Sequence, residues 1–390
     1  MREVTEASHA ISDAVKMVKP AVIAAYPITP QTHIVERLSE MVANGELDTQ
    51  YINSESEFGA ISSCLGASAT GVRSYTATSS QGLALMNEVL YIVSGMRLPV
   101  CMTVANRALS APINIWNDHQ DSMSVRDCGW IQLFAETAQE CFDLTLMQFK
   151  ISEDKRVLTP SMVCMDGFTL THVYEPLFFP DQQKVDEFLP KFTPYHAILD
   201  PEDPMTLGPI AFPTHCMEMR YTQNKALLDS ISVIKEVYQD FSNKFLVEIK
   251  NTRPASYDHV EGYRTDDAET ILIALGSVCG TIKDVVDERR EKGEKVGLLK
   301  IITYRPFPKE AILKALKDAK NVAVVEKAIS PGLGGVLYNE IATLLYESQL
   351  KPKVRNYIVG LGGKDVTLNH IREIIKNTRE DKGPLEQWMF

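Results

Sequence analysis

The sequence places no two cysteines close enough to grip a metal together. Seven stand at positions 64, 101, 128, 141, 164, 216 and 279, whereas zinc and iron–sulfur ligand sets need pairs about two to four residues apart. The chain is expected to hold no cluster of its own. Cys64, Cys101 and Cys164, each in an apolar segment, read as small buried hydrophobes. Long apolar runs are also missing, since none approaches the roughly 20 residues that cross a bilayer. The opening Met1-Arg2-Glu3-Val4-Thr5-Glu6 carries acid where a signal peptide carries base and then an apolar stretch. A cytoplasmic protein with no membrane partner is the expectation. Basic blocks are absent too: with 40 Lys and Arg against 51 Asp and Glu, and a formal net charge of −11, no nucleic-acid partner is expected.

Hydrophobic residues make up 45% and charged residues 23% of 390 positions, the balance of a globular protein long enough for two cores. Up to about Leu170, short β-rich runs alternate with helix-like stretches. This is the pattern of an α/β domain with a doubly wound parallel sheet covered on both faces. Val22-Ile23-Ala24-Ala25-Tyr26 reads as a buried strand ended by Pro27. Thr32 to Val42 follows as a helix with Ile34, Val35, Leu38 and Met41 on one face. Tyr51-Ile52-Asn53 is a short strand, and Glu57 to Thr70 a helix rich in Gly, Ala and Ser, which lets neighbours approach closely. Further strands are read at Ser74 to Ser79, Leu98 to Ala105 and Ser161 to Met165, and helices at Gln81 to Gly95 and Phe134 to Glu153. In such sheets ligands gather at the carboxyl ends of the strands, so the loops after Tyr26, Asn53, Ser79 and Ala105 should converge on one site.

Eight prolines from Pro176 to Pro213 break this pattern. They argue against a long helix and against regular strands, and suggest an extended arm over 172–213 that covers a neighbouring subunit or makes a surface excursion. Helical periodicity returns from Tyr221 to Glu248. Residues 1–250, arm included, are read as one domain and 260–390 as a second, smaller α/β domain. In the latter, strands are expected at Thr270 to Leu275, Val296 to Thr303, Asn321 to Glu326 and Arg355 to Val359, and helices at Thr281 to Lys292, Lys309 to Ala319 and Gly334 to Ser348. Gly332-Leu333-Gly334-Gly335 precedes a helix but lacks the full dinucleotide fingerprint, so it reads as a turn and packing site.

Two acids occur in Ser54-Glu55-Ser56-Glu57-Phe58-Gly59-Ala60, after a strand and at the start of the small-residue helix. Acids there commonly cap the helix and complement its dipole. The pattern by itself favours capping over catalysis and does not choose between Glu55 and Glu57.

Five segments then follow one another: Tyr26-Pro27-Ile28-Thr29-Pro30-Gln31-Thr32, Glu55-Ser56-Glu57, Thr78-Ser79-Ser80-Gln81-Gly82-Leu83, Asn106-Arg107-Ala108-Leu109-Ser110-Ala111-Pro112, and Asn114-Ile115-Trp116-Asn117-Asp118-His119-Gln120-Asp121-Ser122. Together they resemble the 2-oxoacid:ferredoxin oxidoreductase family, and within it the alpha subunits of the pyruvate enzymes. The likeness continues through Cys164 to His172, and Phe307-Pro308 and Gly360-Leu361-Gly362-Gly363 carry it into the second domain.

The resemblance implies a pyrimidine-type thiamine-diphosphate-binding domain followed by a transketolase C-terminal-like domain. It implies that Glu57 hydrogen-bonds N1′ of the aminopyrimidine in a site shielded from water, where such a bond is strong. Pro27 would lie beside the cofactor, and Glu55 would be a cap or a supporting residue. Thr29 falls on the family's substrate-contacting threonine. Arg107, directly after the apolar Val104-Ala105, falls on the arginine that meets the 2-oxoacid carboxylate, for which a guanidinium offers a matching planar fork. A related oxalate-using branch carries arginine in place of Thr29, so threonine favours a monocarboxylate. The Asn-Ile-Trp-Asn-Asp-His stretch favours pyruvate. His119 reads as a proton carrier or, more simply, as a residue that structures its loop.

In the wider family a Gly-Asp-Gly segment and a later Asn hold the diphosphate through Mg²⁺; Asp166-Gly167 lacks both the first Gly and that Asn. The resemblance therefore implies that a beta subunit supplies the Mg²⁺ and diphosphate half, and that partner subunits carry the [4Fe-4S] clusters. Gamma and ferredoxin-like delta subunits, ferredoxin, pyruvate and coenzyme A are the implied partners. The implied reaction is reversible oxidative decarboxylation of pyruvate with coenzyme A to acetyl-CoA and CO₂, with reduction of ferredoxin. A branched-chain or other 2-oxoacid enzyme is the alternative, since fold does not fix function. A scaffold subunit without catalysis is another; loss of Glu57, Thr29 or Arg107 would mark it, and all three are present.

Overall fold

Apolar runs too short for helices build the first sheet. In the computed structural model, which describes residues 2–195, 198–246 and 256–390, the chain opens with β1 (Arg2–Glu6) and α1 (Ala7–Val18). It then alternates: β2 (Val22–Ala25), α2 (Thr32–Ala43), β3 (Gln50–Asn53), α3 (Glu57–Ala69), β4 (Ser74–Thr78), α4 (Ser80–Gly95) and β5 (Cys101–Asn106). A short α5 (Gln120–Ser124), β6 (Ile131–Phe134), α6 (Ala138–Glu153) and β7 (Ser161–Asp166) follow. These strands lie parallel in the order β6-β7-β5-β4-β2-β3. β4 to β7 are buried along their whole length, as a sheet covered on both faces requires. The direction of winding reverses between β2 and β4, and such switch points are where these sheets bind ligands.

Phe134, read as the start of a helix, instead closes β6. The helix begins only at Ala138, where the Thr137 hydroxyl accepts a bond from Glu140 N at 3.2 Å and caps the first turn. The proline-rich segment is also more regular than its composition suggested. It contains β8 (Tyr174–Phe178), paired antiparallel with β1 so that Pro176 faces Val4, and α7 (Gln182–Phe188). A two-stranded ribbon has only edges, which tolerate proline. Pro213 opens the 29-residue α8 (Pro213–Phe241), at the one helical position where a missing N–H costs nothing. Residues 247 and 248 of the expected helix, and position 250 of the expected boundary, lie outside the described residues.

The later part comprises β9 (Val260–Tyr263), β10 (Thr270–Ala274), α9 (Val278–Glu291), β11 (Val296–Ile301), β12 (Thr303–Arg305), α10 (Lys309–Ala315), β13 (Asn321–Glu326), α11 (Val336–Glu347), β14 (Lys353–Ile358), α12 (Leu368–Glu380) and β15 (Glu386–Trp388). Its sheet runs β15-β14-β13-β10-β11-β9, with only β9 antiparallel. β12 leaves that sheet and pairs antiparallel with β6, becoming the seventh strand of the first sheet. One apolar cluster runs through both parts, from Met86 and Phe134 to Tyr304, Leu299 and Leu337. The two sheets are thereby cross-braced. No helix among the described residues is long and apolar enough to cross a membrane.

Candidate active site at the carboxyl ends of the first sheet

Glu57 opens α3, but it does not cap it. The cap is Ser56, whose hydroxyl accepts from Gly59 N at 3.2 Å, while Glu55 is exposed just outside the helix. Glu57 itself is only 6% exposed, and its carboxylate has no hydrogen-bond or ion-pair partner among the described residues. A buried carboxylate without a partner is costly, so the fold holds it there for some other contact. It lies against the first turn of α4: a Cβ on Gly82 would fall 2.6 Å from Glu57 Oε1 and 2.5 Å from Thr78 Oγ1. The hydroxyls of Thr78 and Ser79 are buried without partners beside it.

The turn after β2 meets the loop after β5. Arg107 is 9% exposed; its Nη1 donates to Thr29 O at 2.9 Å and its Nε to Asn114 O at 2.8 Å. Burial pulls its pKa below the ordinary arginine value, offset by nearby Asp121. No carboxylate pairs with it among the described residues, and Nη2 keeps its protons uncommitted. The planar fork expected for a carboxylate is therefore partly used in the fold, leaving one nitrogen to offer. Thr29 and Pro27 are exposed at the rim, and the Thr29 hydroxyl makes no bond among the described residues. Glu57 after β3 meets Gly82 after β4, Ser80 after β4 meets Ala108 after β5 and Arg107 after β5 meets Thr29 after β2, so the four expected loops do come together; Gly167, after β7, packs on Pro30 and Asn106 O beside them.

Three features of the site lie in segments the sequence singled out but have roles that it did not assign. The first is Asp121, fully buried, which accepts from Ser80 N and Arg107 N at 3.0 Å and from Asn106 Nδ2 and Ser122 N at 2.8 Å. Burial pushes its pKa up to about 6, and the bonds from Asn106, Arg107 and Ser80 pull back. The second joins the two sheets. His119 Nε2 lies 2.6 Å from Asp166 Oδ1, and Lys327 Nζ lies 3.0 Å from Oδ2, which also accepts from the Ser277 hydroxyl and from Ser277 N. Burial would raise the Asp166 pKa, but Lys327 and His119 hold it well below the carboxylate range. His119 is thus a structural partner, and Asp166 is fully engaged.

The third is the seat of the loop that carries Arg107. Asn114 Nδ2 donates to Gly362 O at 3.0 Å, Gly362 N donates to Asp118 Oδ2 at 3.0 Å, and Trp116 packs where a Gly363 side chain would be. Both glycines have positive φ, 61° and 81°, which side-chain-bearing residues seldom adopt. The Gly360–Gly363 segment is therefore a socket for the loop.

Two other clusters are excluded as ligand sites. Glu136, Glu140 and Glu261 form the only metal-like trio among the described residues, but Lys300 Nζ already sits 2.6–2.7 Å from all three. At the start of α11, the Glu326 carboxylate takes Leu337 N and Tyr338 N at 2.7 and 3.1 Å, and burial raises its pKa to about 7. The Leu337 and Tyr338 amides are therefore already taken by a carboxylate of the chain itself, in keeping with the packing role read for Gly332–Gly335. Six cysteines are buried and only Cys216 is exposed.

Comparison with known proteins gives this geometry its context. Residues 13–239 match the model described as "Pyruvate flavodoxin/ferredoxin oxidoreductase, thiamine diP-bdg". The chain belongs to that family. A second family model, pyruvate:ferredoxin oxidoreductase core domain II, matches residues 268–371. The pyruvate synthase subunit PorA of Pyrococcus abyssi is 51% identical over 99% of this chain and 96% of its own length. PorA of Thermotoga maritima is 44% identical over 95% and 92%. The ketoisovalerate oxidoreductase subunit VorA of P. abyssi is 40% identical over 99% and 96%. Among solved structures, a 2-oxoglutarate:ferredoxin oxidoreductase from Magnetococcus marinus superposes with a TM-score of 0.69 at 19% identity, covering 96% of this chain and 65% of that one. A split-gene transketolase gives 0.57 at 12% identity, covering 95% and 97%. Both likenesses bear on fold alone. They agree with a thiamine-diphosphate-binding α/β domain joined to a transketolase-like one.

Proposed function

We propose that this member of the pyruvate:ferredoxin oxidoreductase family is the alpha subunit of a pyruvate-oxidising complex. The reaction is pyruvate, coenzyme A and oxidised ferredoxin to acetyl-CoA, CO₂ and reduced ferredoxin, reversible in direction. The observation that carries it is Glu57: a buried carboxylate with no partner of its own, beside unpaired hydroxyls, at the switch point of a thiamine-type sheet. Those residues fit the polar edge of an aminopyrimidine. Thiamine diphosphate, when bound, supplies the carbon nucleophile that pyruvate cannot otherwise meet. Glu57 would share a proton with the pyrimidine N1′, a charge-assisted bond strengthened by exclusion of water. Arg107 would offer Nη2 to the 2-oxoacid carboxylate, and exposed Thr29 its hydroxyl to a substrate oxygen. Pro27 would border the cofactor.

In this reading residues 1–250 form the half that meets the pyrimidine and 260–390 the half that braces it. Mg²⁺, the diphosphate half and the [4Fe-4S] clusters belong to the beta, gamma and ferredoxin-like delta subunits. Asp166 is buried and already committed to Lys327, His119 and Ser277, which leaves the metal to a partner in this reading. Pyruvate is favoured over a branched-chain acid by the higher identity to PorA than to VorA within one organism, 51% against 40%. The deciding experiment is Glu57→Gln in the assembled complex, with a 2-oxoacid panel run on the wild type. Turnover should fall about 10²–10³-fold with assembly unchanged. Undiminished turnover overturns the assignment, and a preference for 2-oxoisovalerate overturns the choice of substrate.

A further inference from the structure

The Asp121 carboxylate touches both sides of the site. Its Oδ2 takes N–H bonds from Ser80 and from Arg107, each at 3.0 Å, and its Oδ1 is fixed by Asn106 Nδ2 and Ser122 N, each at 2.8 Å. Ser80 begins α4 with φ of 46°, a left-handed conformation that a serine keeps only where its surroundings over-determine it. The Ser80 hydroxyl also donates to Ala108 O at 2.6 Å. Two residues along, Gly82 lies against Glu57. The helix end that backs the carboxylate and the strand end that carries the guanidinium are thus tied to one oxygen atom.

We infer that Asp121 is a positioning residue that sets Arg107 relative to Glu57. The inference rests on the roles given above to those two residues. Asp121 has four donors directed at it and is fully buried, so it works as an ionised acceptor and meets no substrate. Asn in its place turns an amide towards two of the four donors. Either the Ser80 and Arg107 amides or the Asn106 and Ser122 anchors are then faced by a second donor, and the register between the two loops slips.

The test is a double-mutant cycle in the complete complex, reading pyruvate KM, kcat and thiamine diphosphate affinity. Arg107→Ala should raise the pyruvate KM. Asp121→Asn should raise it about ten- to hundredfold, the worth of a bond to a charged group, with a smaller change in kcat. In the double variant the KM should match that of Arg107→Ala alone, because a residue acting through another adds nothing once the other is gone. Additive effects mean general destabilisation and overturn the inference. If Arg107→Ala leaves KM unchanged, the site reading itself fails and takes this inference with it. Should Asp121→Asn fail to assemble, Asn106→Ala keeps the charge and removes one anchor. It is expected to raise the pyruvate KM about threefold or more, and an unchanged KM overturns the inference.

Discussion

Gly82→Ala is the smallest change that tests whether the position of Glu57 matters. The added methyl carbon would lie 2.6 Å from Glu57 Oε1, 2.7 Å from its Cγ and 2.5 Å from Thr78 Oγ1. Ordinary contact starts near 3.4 Å, so the carboxylate must retreat by about 0.8 Å, close to the misplacement of about 1 Å that costs some 10²-fold in rate. Stability should change far less. Overpacking costs about 1–3 kcal/mol, while alanine is favoured over glycine inside a helix by about 1 kcal/mol. The net loss is about 0–2 kcal/mol, or roughly 0–8 °C in the melting midpoint. The assay is steady-state pyruvate oxidation by the reconstituted complex, beside a thermal melt and a titration with thiamine diphosphate. Turnover within threefold of wild type would refute the claim that this carboxylate must stand where it does. A rate loss that simply tracked loss of folded protein would refute it equally.

Lys300→Met should be the costliest single change away from the site. Lys300 is 1% exposed and bonded to Glu136, Glu140 and Glu261, so its loss leaves Glu136 and Glu261 to Lys283 and Glu140 without a cation among the described residues. Breaking such a cluster costs about 3–5 kcal/mol, or roughly 6–20 °C in the melting midpoint. A shift under 2 °C would contradict it. Asp166→Asn should flatten the acid limb of the stability curve. The Asp166 carboxyl is held below its ordinary value, about 3.9, so its contribution is fully present above that pH and is lost as pH falls through the depressed folded value. Melting midpoints from pH 7 down to pH 3 should fall less steeply in the variant than in the wild type; parallel curves would refute the coupling. Gly363→Ala, which meets Trp116 at positive φ, should loosen the Arg107 loop and raise the pyruvate KM about tenfold. An unchanged KM would remove the socket from the mechanism.

The strands were legible because continuous apolar runs such as Cys101-Met102-Thr103-Val104-Ala105 have few other ways to be buried. The four loops were legible because short α/β connections force chemistry to the carboxyl ends. Position within one turn was not: Glu55 and Glu57 differ by two residues, and only the observed burial separates them physically. β12 escaped because Thr303-Tyr304-Arg305 is too short for a period, and its partner β6 lies some 170 positions earlier. The Asp121 clamp and the Asp166–Lys327 pair escaped because bonds to backbone amides, or between residues 161 positions apart, mark no local pattern. The prolines misled because composition does not tell a helix interior from its first position, nor a central strand from a ribbon.

The two sides of the site differ in how completely one chain builds them. Glu57 is already buried by its own neighbours, so the carboxylate stands in a low-dielectric setting before any partner arrives. The side proposed to meet the substrate is open: Thr29 and Pro27 are exposed, and Tyr26, Phe58, Ile113 and Trp116 also present large apolar surface to solvent. Apolar side chains gathered at a polar site mark a surface meant to be covered. A cover over Thr29 would strip water from the Arg107 Nη2 protons, and a guanidinium with one free nitrogen gains most from that change, because its attraction for a carboxylate rises as the local dielectric falls. Assembly would therefore act mainly on the Arg107 side, while the setting of Glu57 is already fixed by Gly82 and Ser56 within this chain.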